Sequence, residues 1–294
     1  PLTEPCDGLL AWGEPQKISL SLPPLRADNC SMELMSRLQK VRRGGLTFAP
    51  EAGTQRLRDV INKNVTEDDL LNTCRIAFEG GWNGIKLYFM LGLPTETDED
   101  VRGIADLASK VLHVWRQYSP NTQRGVRITV RTSCFIPKPH SPFQWEAQVS
   151  MEEYRRRVEL LRSSITAKNV SYNWHDPDTS FVEAALSRGD RKIADVIEAV
   201  WRAGGRMEAW SDYFRFERWM RAFEDCGLDP AFYASRERGE DEVLPWCRVN
   251  MGVRESLLLR ERHRAYEAQL SPDCRAACSA CGAAALLEEG RCDG

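Results

Sequence analysis

The stretch GIKLYFMLGLPTETDED, residues 84–100, decides the fold. Its first half is apolar at almost every position, which is typical of a parallel strand that is covered on both faces in α/β proteins. Gly92 and Pro94 end this strand. Thr97 then precedes Asp100 by three residues, the spacing of a helix cap. The stretch therefore predicts a strand, a tight loop and a helix, with a glycine where a ligand could approach the backbone closely.

The same alternation of strand and helix runs from about residue 17 to residue 175. Short apolar or alternating segments predict strands, and segments of helical periodicity lie between them. The predicted strands are KISLSL (17–22), GLTFAP (45–50), GIKLYFML (84–91), VRITVRTSCF (126–135) and NVSYNW (169–174). This order predicts right-handed βαβ units and a parallel sheet, and therefore an α/β fold.

The loops that follow the predicted strands are rich in Pro, Gly and polar residues. In parallel sheets and barrels, ligands bind at the carboxyl ends of the strands. Five such loops in succession predict a lined pocket. Their polar side chains are Arg26, Glu51, Glu96, Lys138, His140, His175 and Asp176.

Composition limits the function classes. The chain has 294 residues, 42% of them hydrophobic, with nine Trp and a net charge of −3. This charge argues against a protein that coats nucleic acid, although a local basic groove is compatible with it. No segment approaches the roughly 18 apolar residues of a membrane span. The first residues lack a signal-peptide pattern, and with ten Cys and no export signal we predict a cytoplasmic protein.

The pattern changes after residue 176. Helical segments follow one another without intervening strands, and their aromatic side chains are spaced to pack on the barrel or on one another. Those aromatic residues are Trp201, Trp210, Phe214, Phe216, Trp219 and Phe223. The last residues form a tail rich in Cys and small residues.

Three of the loops together resemble a known family. LTFAPEAGTQRLRDVINKN (46–64), GIKLYFMLGLPTETDEDV (84–101) and SCFIPKPHSPFQWEAQ (133–148) are similar to the fourth, fifth and sixth strands of radical S-adenosylmethionine (SAM) enzymes. The likeness extends from about Lys17 to the end of the chain. The most similar group has full-length members with a cobalamin-binding-like domain ahead of the barrel.

The resemblance implies a fold and a chemistry. The fold is a partial (β/α) barrel, made of the later strands, with an α-helical C-terminal extension and a Cys-rich tail. The implied organisation is an upstream linker or remnant at 1–16, the partial barrel at 17–176, the helical extension at 177–270 and the tail at 271–294. The family cleaves SAM reductively at a [4Fe-4S] cluster and thereby generates a 5′-deoxyadenosyl radical.

The resemblance also assigns a set of positions to SAM binding: Arg26, Glu51, Gly53, Thr54, Lys86, Leu91, Gly92, Phe135 and Ile136. The motif at 51–54 meets the methionine or ribose part of SAM, and the residues near 91 and 135 flank adenine. Arg26 is a candidate partner for the SAM carboxylate, because guanidinium and carboxylate groups pair bidentately. Structural alternatives are a helix-capping role for Glu51 and an ion pair for Arg26.

His175 and Asp176, in the sequence NWHDP, are candidate catalytic residues. They could bind substrate or act as acid and base. They could equally form a local turn, with Asp176 holding the backbone ahead of the next helix. A metal-independent barrel enzyme that uses Glu51 with His175 is a further hypothesis.

The cluster-binding loop of the family, with Cys-x3-Cys-x2-Cys spacing after the first strand, has no counterpart near the start of this chain. The expectation is therefore that this is the C-terminal part of a longer protein, whose upstream domain holds the principal cluster ligands. Cys274, Cys278 and Cys281 have that spacing in the tail, and Cys292 follows. They could form a structural metal or auxiliary cluster site, be incidental thiols, or hold a displaced radical-generating cluster.

The predicted function is the C-terminal portion of a radical SAM enzyme, which binds SAM and shapes the substrate cavity. Taken alone, the chain is expected to be inactive. An RNA substrate is a hypothesis suggested by MEEYRRRVELLR (151–162) and SRGDRK (187–192). The alternative is a noncatalytic barrel-like scaffold or subunit whose partner carries the cluster.

Overall fold

The computed structural model describes residues 3–18, 45–274 and 276–286. Four parallel strands form one sheet in the order β1-β2-β3-β4. They are β1 (Leu46–Glu51), β2 (Gly84–Leu91), β3 (Arg127–Cys134) and β4 (Val170–Trp174). This α/β arrangement is that of a partial (β/α) barrel, and the last four predicted strands are confirmed. The first predicted strand, apart from Lys17 and Ile18, lies outside the described residues, as does Arg26.

Helices precede, separate and follow the strands. Helix α1 (Thr3–Gly13) comes first, and α2 (Gln55–Val60) and α3 (Glu67–Glu79) lie between β1 and β2. Helices α4 (Asp98–Tyr118) and α5 (Met151–Ser164) follow β2 and β3. After β4 come α6 (Pro177–Ser187), α7 (Ile193–Arg202), α8 (Phe216–Asp225), α9 (Pro230–Ala234) and α10 (Glu255–Tyr266). Short 3₁₀ turns occupy Thr122–Arg124 and Ala283–Leu286.

The sheet is covered by helices on one face. Ile85, Leu87, Phe89 and Leu91 are buried there, in a core shared with the apolar sides of α3, α4 and α5. A fully buried apolar side chain contributes roughly 1.5–3 kcal/mol to folding, so this core is the main source of stability for the sheet.

The other face of the sheet is open among the described residues. On β2 this face carries Lys86, which is exposed, and Tyr88 and Met90, which are half-buried. The prediction that β2 is covered on both faces stays a prediction, because residues such as 19–44 lie outside the described part of the chain. Two of these three side chains end in polar groups, which are compatible with either a covered or a solvated surface.

Helix α4 begins at the predicted cap. The Thr97 hydroxyl accepts a hydrogen bond from the Asp100 amide, and the Asp100 carboxylate accepts one of 2.8 Å from the Thr97 amide. Asp100 is 3% exposed and also accepts hydrogen bonds from the Thr54 hydroxyl and the Arg56 guanidinium. One buried carboxylate therefore caps α4 and ties the turn after β1 to it.

Gly53 lies where that turn meets α4. A Cβ atom at Gly53 would lie 2.4 Å from both the Asp100 carbonyl oxygen and the Ile104 amide nitrogen. Backbone atoms cannot give way as a flexible side chain can. Glycine is therefore required here by helix packing.

The helical extension has a core of its own. Phe181, Val196, Trp219 and Phe223 are buried together between α6, α7, α8 and α9. The packing prediction is confirmed for Trp219 and Phe223, whereas Trp201 and Trp210 are 56% and 64% exposed. Trp201 lies one residue beyond Val200, which takes the buried side of α7. No helix in the described ranges is both long and apolar enough to cross a membrane.

Gly53→Ala should destabilise the protein by about 1–3 kcal/mol, because the new methyl group forces the β1–α2 turn away from α4. Urea unfolding followed by far-UV circular dichroism measures the change. Gly8→Ala is the matched control, since a Cβ at Gly8 in α1 has no atom within 4 Å. That substitution should leave stability unchanged or raise it by up to about 1 kcal/mol. Equal, small effects of both substitutions would contradict the packing role of Gly53.

Candidate functional site

Two hollows lie on either side of Phe135. The β1 hollow has a volume of about 560 Å³ and is lined by residues that include Glu51, Lys63, Leu93, Phe135 and Phe143. The β3–β4 hollow has a volume of about 710 Å³ and is lined by residues that include Tyr88, Arg131, Phe135, Trp174 and His175. Met90, Phe135, Ile136 and Lys138 line both hollows, so the two share a wall.

Glu51 is presented to the β1 hollow by an unusual backbone. Its φ is +69°, in the left-handed region that costs a non-glycine residue free energy. The register between β1 and β2 shifts between Phe48 and Glu51, which is a bulge at the end of β1. The carboxylate accepts a hydrogen bond of 3.2 Å from the Lys63 ammonium group. Thr54, not Glu51, is the N-cap of α2, so the capping interpretation of Glu51 is wrong.

Phe135 and Ile136 form the wall between the hollows. The Phe135 amide donates to the Leu91 carbonyl at 2.8 Å, which continues the β2–β3 pairing beyond the last regular residue. The Phe135 and Phe143 rings meet edge to face, with centroids 5.9 Å apart. The predicted adenine-contacting pair thus lies where the two hollows meet.

The end of β2 approaches the β1 hollow through Leu93. Leu91 itself points into the core under the helices, and Gly92 has a φ of +90°. A Cβ at Gly92 would lie 2.6 Å from Val149 Cγ2. The Gly92 amide donates to Glu96 Oε2 at 2.7 Å. Glu51 and Leu93 therefore line a common hollow, and the Gly92 amide is engaged by Glu96.

Other positions assigned to SAM by the resemblance have contacts inside the fold. Gly53 packs against α4, and the Thr54 hydroxyl both caps α2 and donates to Asp100. Lys86 is exposed on the open face of the sheet and is absent from the lining of both hollows. Direct contact of these three residues with SAM stays a prediction.

His175 lines the β3–β4 hollow, and Asp176 begins α6. His175 Nδ1 lies 2.9 Å from the Ser180 hydroxyl. The Asp176 carboxylate accepts from the Thr179 amide at 2.9 Å, so the turn-forming interpretation of Asp176 is confirmed. Glu51 and His175 line different hollows, so the structure does not bring them together as the metal-independent hypothesis requires.

The tail thiols do not form a site in the described residues. Cys274 and Cys278 are exposed and Cys281 is half-buried. Across 3–18, 45–274 and 276–286, no three His, Cys, Asp or Glu side chains are grouped so that they could hold a metal ion. Cys292 lies outside the described residues. A tail metal site therefore stays a prediction.

Two ionisable groups near the hollows are shifted by burial. The Cys134 thiol lines the β3–β4 hollow, and burial raises its pKa to about 12, so it is a neutral group at physiological pH. The Glu96 side chain is 1% exposed, and burial raises its pKa to about 7 against the opposing effects of the Gly92 amide and the Arg157 guanidinium. The sequence placed Glu96 in a strand-end loop but gave no sign that it holds the Gly92 amide.

Glu96 should make stability fall as pH rises. Its folded pKa of about 7 lies above its ordinary value of 4.5, so the unfolded chain releases the proton first. The wild-type protein should lose stability between pH 4.5 and pH 7, and the loss should be complete above pH 7. Glu96→Gln removes this titration, so its stability relative to wild type should rise by roughly 1–3 kcal/mol over that interval.

Chemical unfolding of both proteins at several pH values measures this difference. Glu99→Gln is the control, because Glu99 is an exposed carboxylate on the first turn of α4, three residues after Glu96. Its curve of stability against pH should run parallel to that of the wild-type protein. A Glu96→Gln profile that is also parallel to wild type would mean that Glu96 titrates alike in the folded and unfolded chains.

Comparison with known proteins agrees with the strand-end motifs. An uncharacterized protein of Methanocaldococcus jannaschii, MJ0966, is 28% identical over 215 residues. The match covers 72% of this chain and 44% of that protein, so the chain spans less than half the length of this relative. Residues 13–108, which include Glu51, Gly92 and Glu96, match the family model of the Radical SAM superfamily. The resemblance is therefore confirmed as a similarity to the Radical SAM superfamily over those residues.

Proposed function

We propose that this chain is the SAM-binding and substrate-facing part of a radical SAM enzyme. The observation that carries the proposal is that Glu51, Leu93 and Phe135 line one hollow at the carboxyl ends of β1, β2 and β3. These residues come from the three segments whose sequences resemble the family. The volume of about 560 Å³ falls within the range of roughly 300–1,000 Å³ that small-molecule sites occupy.

The lining of the β1 hollow fits a sulfonium nucleoside. Phe135 and Phe143 offer aromatic surface to a purine ring, and Leu93 adds apolar surface that excludes water. The Glu51 carboxylate is a hydrogen-bond acceptor for a ribose hydroxyl or an amino group, and it attracts the positive charge of the ligand. Lys63 keeps this carboxylate oriented.

Bound SAM would supply the hydrogen-abstracting radical chemistry of the family. The described residues fit SAM but not a [4Fe-4S] cluster, because they group no three candidate metal ligands. In the proposal the principal cluster ligands therefore belong to other sequence of the same polypeptide. A cobalamin-binding-like upstream domain is part of the same proposal, and rests on the resemblance alone.

In this proposal the residues around the β1 hollow bind SAM and orient it. Glu96 holds the Gly92 amide, which fixes the start of the segment that leads to Leu93. The hydrogen bond from the Phe135 amide to the Leu91 carbonyl oxygen fixes the wall between the two hollows. A ligand in the β1 hollow would thus lie across this wall from the β3–β4 hollow, where a substrate could be placed.

The test uses the intact gene product, purified and reconstituted with iron and sulfide under anaerobic conditions. SAM binding is measured by equilibrium dialysis, and 5′-deoxyadenosine is measured after reduction with dithionite. Glu51→Gln should weaken SAM binding roughly tenfold to a hundredfold, since one charge-assisted hydrogen bond contributes about 1.5–3 kcal/mol. Glu79→Gln is the control, because that carboxylate pairs with Arg75 on α3 and is absent from the lining of the β1 hollow.

The proposal fails if the reconstituted protein forms no 5′-deoxyadenosine. It also fails if Glu51→Gln and Glu79→Gln bind SAM as tightly as the wild-type protein. Binding of SAM without cleavage would support the scaffold alternative in place of an enzyme.

A further inference from the structure

The β3–β4 hollow contains a row of polar side chains that have no partners among the described residues. Tyr88, Arg131 and Asn173 are direct neighbours across β2, β3 and β4 in the sheet register. All three line the hollow. In the described part of the chain, none of the three side chains forms a hydrogen bond or an ion pair. Their donors are therefore available to a ligand.

Arg131 gives this row a positive charge that no acid offsets in the part of the chain that the structure describes. The other cation of the hollow, Lys138, is paired with Glu183 at 2.8 Å, so both of those charges are already balanced. The guanidinium of Arg131 presents several donors in a planar fork, which matches the oxygens of a carboxylate or phosphate. The Asn173 amide and the Tyr88 hydroxyl lie on either side of it as further hydrogen-bonding groups. This arrangement favours an anionic group on the ligand.

Trp174 lies on the other face of the sheet. Its register partner is Thr132, which is 4% exposed, and its ring packs against Tyr172, with centroids 5.3 Å apart. The Tyr172 hydroxyl lies 2.8 Å from the Thr132 hydroxyl. Because successive side chains of a strand alternate between its faces, the indole does not share a face with Arg131 and Asn173.

We propose that the β3–β4 hollow is the substrate site, and that it binds an anionic group of the substrate through Arg131. This inference rests on the proposed function, because it takes the shared wall at Phe135 as the boundary between cofactor and substrate. The volume of about 710 Å³ is ample for such a molecule. The anionic group is a carboxylate or a phosphate, and the experiment distinguishes the two.

Three fragments of similar size serve as probes: benzoate, phenyl phosphate and the neutral benzamide. Their binding to the intact protein is measured by saturation-transfer NMR and isothermal titration calorimetry. At least one anion should bind roughly tenfold or more tightly than benzamide, because only the anions pair with the Arg131 guanidinium. The preferred anion identifies the carboxylate or the phosphate class.

One substitution localises the effect. Arg131→Gln should reduce binding of the preferred anion to the level of benzamide. Arg127→Gln is the matched control, because Arg127 is an exposed arginine on the same strand that does not line the hollow. It should leave all three affinities unchanged. Benzamide binding as tightly as the anions, or an unchanged anion affinity in Arg131→Gln, would overturn the inference.

SAM binding measured on the same samples separates this inference from the proposed function. SAM affinity should be the same in Arg131→Gln and wild type, since Arg131 lies outside the β1 hollow. If the protein binds SAM but its anion binding does not depend on Arg131, the substrate inference alone is overturned. Anion binding that depends on Arg131, in a protein that does not bind SAM, would overturn the proposed function while the anion site stands.

Discussion

The site depends on the hydrogen bonds and the ion pair of the Asp100 carboxylate. This carboxylate caps α4, accepts a hydrogen bond from the Thr54 hydroxyl and pairs with Arg56, although it is almost fully buried. Burial of a carboxylate costs free energy unless its oxygens are hydrogen-bonded, so the loss of any one of these partners destabilises the whole group. Through this group the turn that follows Glu51 is fixed relative to the helix that follows Gly92. Two strand ends that are distant in sequence thereby meet at one cavity.

The two faces of the sheet carry different kinds of side chain. Ile85, Leu87 and Phe89 anchor β2 in the helical core, and Lys86, Tyr88 and Met90 alternate with them on the open face. Successive residues of this strand thus alternate between the helical core and the open face. This division explains why polar side chains such as Tyr88 and Arg131 can line a cavity without weakening the core beneath them.

Much of the fold could be predicted from local patterns. The apolar run at 84–91, the Thr97 cap and the alternation at 126–135 act over a few residues, and the structure contains them where the sequence indicated. The open face of β2 could not be predicted in the same way, because Lys86 and Tyr88 are compatible with either a covered or a solvated surface. The roles of Gly53 and Glu96 were also missed, since both depend on α4 and α5, which pack against them only in three dimensions. The two hollows, and the separation of Glu51 from His175, are likewise products of tertiary packing.

The left-handed backbone at Glu51 has a consequence for how this position can evolve. A glycine there would relieve the strain of the bulge but remove the carboxylate, whereas a β-branched residue would satisfy neither demand. Asparagine and aspartate tolerate this backbone best among the other residues, and of these aspartate alone keeps the charge, on a shorter arm. Backbone stability and a carboxylate at the β1 hollow therefore make opposing demands on position 51, and no single substitution meets both.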